Sequence, residues 1–267
     1  MMLTILGSGG ATPTPRPFCQ CKTCKKARNN DAYKRNSSSL FINDIKTIID
    51  CGEDIADSLN RRKIKQIDNL FITHWHPDHS FGLRPILEAN FNFYTDKPEK
   101  AINLYLPKKV YKTLKEKYPS VSFFIDIEKT AKLHLIEDGD KVKIGKVAIT
   151  VVGYQGEKSD TYAYLIERGG IKTLYSPCDT INFDNYKNFS NLDLLISECG
   201  LFSNHPSEIS FKDCIKRIKE INPKKTILTH IEEVGVKIFG ERYLETMKKK
   251  YPYVNFEFAY DGMKIKL

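Results

Sequence analysis

The tightest constraint in this chain is the stretch His74-Trp75-His76-Pro77-Asp78-His79, where three of six histidines and a carboxylate fall within six residues. Leu70-Phe71-Ile72-Thr73 runs directly into it, a short apolar segment that reads as a buried strand bringing its C-terminal end to a site. Residues two apart on an extended segment share a side, so His74 and His76 face the same way. Asp78 and His79 then fall on the following turn and can face a second ion. Imidazole and carboxylate together suit Zn, Mn or Fe. A lone histidine is usually structural; four ligand side chains at this spacing are not explained that way. A fold for this chain must therefore end a buried strand at a polar, metal-binding cleft.

The rest of the chain supplies strands for such a fold. Leu3 to Leu6, Ser39 to Ile42 and Thr47 to Asp50 read as strands, the last two joined across an Asn43-Asp44 turn. Strand-like runs recur at Ile102 to Leu106, Val121 to Ile125, Leu133 to Ile136 and Val147 to Val152. Tyr162 to Ile166, Thr173 to Tyr175, Leu192 to Ile196 and Thr226 to Thr229 continue the series. Asn255 to Tyr260 and Met263 to Leu267 flank Asp261-Gly262, a hairpin turn signal. Helices are expected from Glu53 to Arg62 and from Ser210, an N-cap with Asp213 three residues on. In the latter, Phe211, Cys214, Ile215, Ile218 and Ile221 follow helical spacing, with Cys214 as core filler. Many strands with scattered helices predict an α/β fold, two mixed sheets packed face to face with helices outside. With no repeat, low-complexity tract or linker, residues 1–267 are expected to form one domain.

Composition narrows the partners. Hydrophobic residues at 41% and charged residues at 28% exclude a disordered chain. No apolar run reaches the roughly 18 residues of a membrane span. Met1 to Gly7 reads as a first strand and not a signal peptide, so a cytoplasmic location is expected. The net charge of +9 favours anionic partners. The lysines are spread over helix faces, as at Lys108-Lys109 and Lys248-Lys249-Lys250, with no aromatic-interleaved basic tract, so nucleic acid is left open and not indicated. Gly7-Ser8-Gly9-Gly10 follows a strand, but Pro13, Pro15 and Pro17 prevent the helix that a dinucleotide site needs.

Seven cysteines are present, and Cys19, Cys21 and Cys24 lie within six residues of one another. Thiols stay reduced in the cytosol, so clustered ones suggest metal. They sit in a long irregular segment, about 11–35, of a length that is rare unless something pins it. A closed tetrahedral zinc site needs a fourth ligand.

The stretch His74 to His79, with Thr73 before and Gly82-Leu83 after, resembles the HxHxDH motif of the metallo-β-lactamase superfamily, and the resemblance runs along nearly the whole chain. It implies an αβ/βα four-layer sandwich and a two-ion hydrolase. It further implies that Asp50 is a buried aspartate beside the metals, that Asp179 bridges them, and that His230, ending Leu228-Thr229-His230, ligates the second ion. The chain is most similar to the phosphodiesterase branch, which includes ribonuclease Z and the cyclic-phosphate phosphodiesterase of phosphonate metabolism. The latter shares a Cys-x-Cys-x-x-Cys cluster, an Asp-Gly-Met near the end, and a histidine matched by His205 that contacts the phosphate or protonates the leaving group.

Two positions depart from that pattern. The fourth ligand of the structural zinc is a histidine in the phosphonate enzyme; Glu233 holds that position here, and either its carboxylate or another residue closes the site. The third metal-binding histidine is missing, since none occurs between His134 and His205; Gln155, Glu157, Asp160 and Cys178 are the stand-ins. The first ion, with His74, His76 and Asp179, is expected to be weakly held, differently ligated or absent. The second has Asp78, His79, Asp179 and His230. The expected function is hydrolysis of a small or cyclic phosphodiester, with two divalent ions (Zn or Mn), one structural Zn, His205 as acid and no membrane; a homodimer is left open. The rivals are a carboxylic-ester, lactone or thioester hydrolase, and a metal-binding accessory protein without turnover.

Overall fold

The computed structural model describes residues 1–156, 159–203, 208–240 and 242–267. Its strands begin with β1 (Met2–Gly7), β2 (Ser39–Ile42), β3 (Thr47–Ile49), β4 (Asn69–Phe71), β5 (Phe91–Asn92), β6 (Lys97–Pro98), β7 (Ile102–Pro107) and β8 (Ala131–Ile136). They continue with β9 (Lys141–Ile144), β10 (Val147–Gln155), β11 (Asp160–Arg168), β12 (Ile171–Ser176), β13 (Leu194–Glu198), β14 (Lys225–Thr229), β15 (Phe256–Phe258) and β16 (Lys264–Lys266). One sheet runs β16-β1-β2-β3-β4-β7-β8 and the other β15-β14-β13-β12-β11-β10-β9, with β5 and β6 as a separate pair. Each sheet is mixed. In the first, β3, β4, β7 and β8 are parallel neighbours; in the second, β12 to β15 are.

Side chains alternate across a strand, and here alternate positions enter two different cores. Ile166, Ile196 and Ile227 join Leu3, Ile5, Leu40, Ile48 and Leu104 in the core between the sheets. Their neighbours Leu165, Leu195 and Leu228 face outward, against Phe211, Ile215, Ile218 and Ile221 of the helix Phe211–Ile221. That helix starts where the sequence expects, with the Asp213 backbone N–H donating to Ser210 Oγ at 3.1 Å. Each such fully buried side chain contributes about 1.5–3 kcal/mol. Ile218→Ala would cost roughly 2–5 kcal/mol through the cavity it leaves. Cys214 fills the same buried stripe.

Three sequence expectations change. Val121 to Ile125 is helical, in Ser120–Ser122 and Phe123–Ile127, not a strand. Val121 and Phe124 are buried three residues apart while Phe123 is exposed, so burial follows the helical period despite the β-branched composition. The terminal Asp-Gly turn does not close a hairpin: β15 pairs with β14 in one sheet and β16 with β1 in the other. Asp261 is buried, accepting from Ser8 N at 2.9 Å and Asn36 N at 2.8 Å, and so pins the crossing between sheets. The third change is in the cysteine segment, which contains a helix, Lys22–Asn29, begun at Cys21.

Candidate metal centre

The fold brings the C-terminal ends of parallel strands together, where open α/β sheets place ligands. The segment after β4 carries Thr73 and His74, Asp50 follows β3, Asp179 lies beyond β12, and His230 follows β14. Asp50, Asp179 and His230 hold positive φ of 66°, 60° and 54°. Such left-handed conformations cost of order 1–3 kcal/mol each away from glycine, and these three lie at a polar convergence of strand ends. The two sheets are tied at this point: Tyr162 N donates to Thr73 O at 3.1 Å, and Tyr164 Oη to Ile72 O at 2.7 Å.

Asp50, fully buried, orients the cluster. Its Oδ1 accepts from Thr73 N at 2.7 Å, and Thr73 Oγ1 lies 3.0 Å from both carboxylate oxygens. Its Oδ2 lies 2.9 Å from His79 Nδ1. A carboxylate only accepts, so His79 carries its proton on Nδ1 and turns Nε2 into the cleft. Thr73 Oγ1 is committed as donor to Asp50, so the 2.9 Å contact with His74 Nδ1 has the imidazole donating. His74 Nε2 is thereby left as the open lone pair, 2.9 Å from His76 Nδ1. Second contacts of this kind fix tautomer and direction in metal-binding histidines.

Two groups of donor atoms result, each with its atoms within 4.8 Å of one another: His74, His76 and Asp179; and Asp78, His79 and His230. Asp78 Oδ2 lies 3.2 Å from His79 Nε2 and 3.4 Å from His230 Nε2. His79 Nε2 is buried and has no partner of hydrogen-bond geometry among the described residues. A buried ring nitrogen without a hydrogen-bond partner, amid imidazoles and carboxylates, is what a divalent cation would satisfy, so the donors fit the ion. The electrostatics agree in direction. Burial, with His79 and His76 nearby, holds His74 well below the ordinary imidazole value. Burial also opposes charge on His79 and His230, yet Asp78 outweighs it, raising His79 well above the ordinary value and His230 to about 10. Burial opposes charge on Asp78 too, but the adjoining His79 and His230 hold it well below the carboxylate range.

The stand-ins for the missing histidine part company. Gln155 is exposed and donates from Nε2 to Ser159 O at 3.1 Å. Asp160 pairs with Lys109 Nζ at 2.8 Å. Cys178 is buried, and its Sγ is within 4.8 Å of nitrogens of His74 and His79. Glu157, like the acid candidate His205, lies outside the described residues. Sequence reasoning missed Gly156, where a Cβ would stand 2.4 Å from Asp179 Oδ2, and Ser159, whose Oγ donates to that oxygen at 3.2 Å. It also missed Glu208, which burial and then the charge of Glu198 push up to about 7. A loop glycine, serine or glutamate carries no motif, so no signal in the sequence marked them.

A second cluster lies at the cysteine segment. Cys19, Cys21 and Cys24 Sγ converge on Glu233 Oε1 at 3.2, 3.3 and 3.4 Å. Cys21 caps the helix that follows, its Sγ accepting from Cys24 N at 3.4 Å, and Cys24 Sγ accepts from Arg16 N at 3.3 Å. Glu233 reaches them because it lies three residues beyond His230, so one loop serves both clusters.

Two mixed sheets with a histidine-aspartate cluster at their strand ends define the metallo-β-lactamase fold. Residues 46–231 match the beta-lactamase superfamily domain, and the chain belongs to that family. A ribonuclease Z of Clostridium tetani is 34% identical over 94 residues, 34% of this chain and 24% of that protein. A ribonuclease Z of Prochlorococcus marinus is 30% identical over 178 residues, 60% of this chain and 50% of that protein. The chain thus spans between a quarter and a half of the length of these relatives. The crystal structure of a new diphosphatase from the PhnP family superposes with a TM-score of 0.78 at 22% identity, covering 100% of this chain and 97% of that one, a likeness of fold. Divalent metal ions are implied by the family, and no helix among the described residues is long and apolar enough to cross a membrane.

Proposed function

We propose that this chain is a metal-dependent phosphodiesterase acting on a small or cyclic phosphodiester. The observation that carries the reading is the pair of donor groups, His74-His76-Asp179 and Asp78-His79-His230, side by side at the strand ends. The relatives add the substrate class, since a ribonuclease and a diphosphatase are named for cleavage at phosphorus. Two divalent ions, Zn or Mn, would be held there and would supply a nucleophile at neutral pH while neutralising the phosphate oxygens. The protein's own share is positional. Asp50 and Thr73 fix the imidazole tautomers, and the buried walls exclude water, which strengthens each charge interaction inside. Asp179 faces the first group and would bridge to the second.

His205 is the proposed general acid. Glu208 is a second candidate donor within electrostatic reach of His230 and Asp179, its carboxyl pushed up to about 7 in the metal-free chain by burial and then the charge of Glu198. The three cysteines with Glu233 would hold one structural zinc, whose binding energy would enter directly into the order of residues 11–35.

The test is hydrolysis of bis-nitrophenyl phosphate with added divalent metal, in the unmodified chain and in Asp78→Ala. Metal-dependent cleavage that Asp78→Ala abolishes is expected. Cleavage of lactones or thioesters alone, with none of any phosphodiester, would move the chain to the carbonyl hydrolases. His205→Ala and Glu208→Gln, compared on good and poor leaving groups, identify the acid: the variant that loses more on the poor leaving group held it.

A further inference from the structure

The first donor group has no third imidazole among the described residues, and Gly156 has no room for a side chain of its own. Gly156 ends the β10 segment with its backbone against Asp179; a Cβ there would come within 2.4 Å of Asp179 Oδ2 and 2.7 Å of Thr161 Oγ1. No side chain fits between that backbone and the carboxylate unless Asp179 moves. Gln155 turns outward to Ser159 O, and Asp160 is drawn to Lys109. The donor that does arrive comes from the C-terminal end of β12, at the same edge of the sheet. Ser176 closes β12, and Pro177 and Cys178 lead to the left-handed Asp179. The Cys178 carbonyl accepts from the buried Tyr154 Oη at 2.7 Å, which fixes the backbone. Cys178 Sγ then falls within 4.8 Å of a nitrogen of His74, from the first group, and of His79, from the second. His79 Nε2 is the fully buried nitrogen without a hydrogen-bond partner among the described residues.

We infer that Cys178 is a thiolate ligand of the metal centre, beside His74 of the first donor group and His79 of the second. It would give the centre a sulfur donor beside His74 and His79, and thiolate is a common ligand of zinc. As the sulfur–metal bond forms, the thiol gives its proton to solvent. A soft sulfur donor favours zinc over manganese, so the inference deepens the reading of this centre by choosing its metal class. It rests on metal binding at the centre and is independent of the substrate.

Cadmium-113 NMR of the full chain, loaded with cadmium alone, tests it, because the resonance moves downfield with each thiolate bound. The loop cysteines give one strongly downfield signal. A second signal, from the centre, is expected downfield of sites with only nitrogen and oxygen donors. In Cys178→Ser it should move upfield while the loop signal stays, and the preference of the centre for zinc over manganese should fall at least tenfold. A centre signal in the nitrogen–oxygen range in the unmodified chain overturns the inference, and this outcome needs no variant to fold. So does a signal that Glu157→Gln moves and Cys178→Ser does not. Uptake of cadmium at the loop alone would overturn the metal centre itself, a failure distinguishable from the other two.

Discussion

Replacing Asp50 by asparagine changes a single atom, yet the geometry predicts a specific loss. The amide has one acceptor and one donor where the carboxylate had two acceptors. The backbone N–H of Thr73, 2.7 Å from Oδ1, would take the amide oxygen. The amide NH2 would then face His79 Nδ1, now 2.9 Å from Oδ2, and donate to it. His79 Nδ1 must accept, so the neutral ring keeps its one proton on Nε2, the nitrogen that faces Asp78 and the proposed ion. A metal must displace that proton or wait for the minor tautomer. Loss of a contact of this kind costs about 10- to 100-fold in metal affinity, or roughly 1.4–2.8 kcal/mol. The fold should survive with a loss of about 1.5–3 kcal/mol, that of one charge-assisted hydrogen bond. Asp50→Ala is the poorer test. It strands Thr73 N, Thr73 Oγ1 and His79 Nδ1 together, at about 1–3 kcal/mol each, enough to unfold a domain of ordinary stability. Chelator competition on Asp50→Asn, with thermal unfolding followed in parallel, provides the measurement. A folded Asp50→Asn that binds both ions as tightly as the unmodified chain would refute the tautomer argument.

Other outcomes follow from the same geometry. Gly156→Ala places a methyl 2.4 Å from Asp179 Oδ2, so it should lose at least tenfold in activity and one equivalent of centre metal while staying folded; full metal content would show that Asp179 is no ligand. Cys21→Ser should lower zinc content by about one equivalent, as expected for a one-ion, four-ligand site, and expose residues 11–35 to protease. The histidine centre should be unchanged. Rapid labelling of all three loop thiols in the native protein, with no zinc released, would contradict a structural site. The protein's own groups hold His79 above its ordinary value and His230 at about 10. A raised imidazole adds stability that is complete below about pH 6.5, and for His230 this is lost as pH rises through about 10. Adding zinc to chelator-stripped protein at pH 7 should therefore release the proton that His230 carries, read with an indicator in weak buffer. Release of none would contradict the arrangement around Asp78.

The sequence by itself determined the elements whose signal is local. His74 to His79 carries its chemistry in six residues, and the helix from Ser210 declares both its cap and its buried stripe. Short apolar runs marked most strands, because strands such as Ser39–Ile42 and Leu194–Glu198 are buried at every position. The order of Asp50, Asp179 and His230 along the chain was legible only through resemblance to a family, since a carboxylate or histidine at a strand end has no spacing of its own. Tertiary structure decided what depends on approach between distant segments. Asp261-Gly262 reads locally as a hairpin, yet Asp261 satisfies Ser8 and Asn36 and sends the last strand into the other sheet. Val121 to Ile125 has strand composition, and packing at a spacing of three made it helical. The convergence of three thiols on Glu233 spans more than 200 residues of chain. The closeness of Cys178 to His74 and His79, with the backbone of Gly156 against Asp179, likewise exists only once the strand ends meet. Local propensity is set by neighbours in the chain; a coordination sphere is set by which strand ends the two sheets bring within a few ångströms of each other.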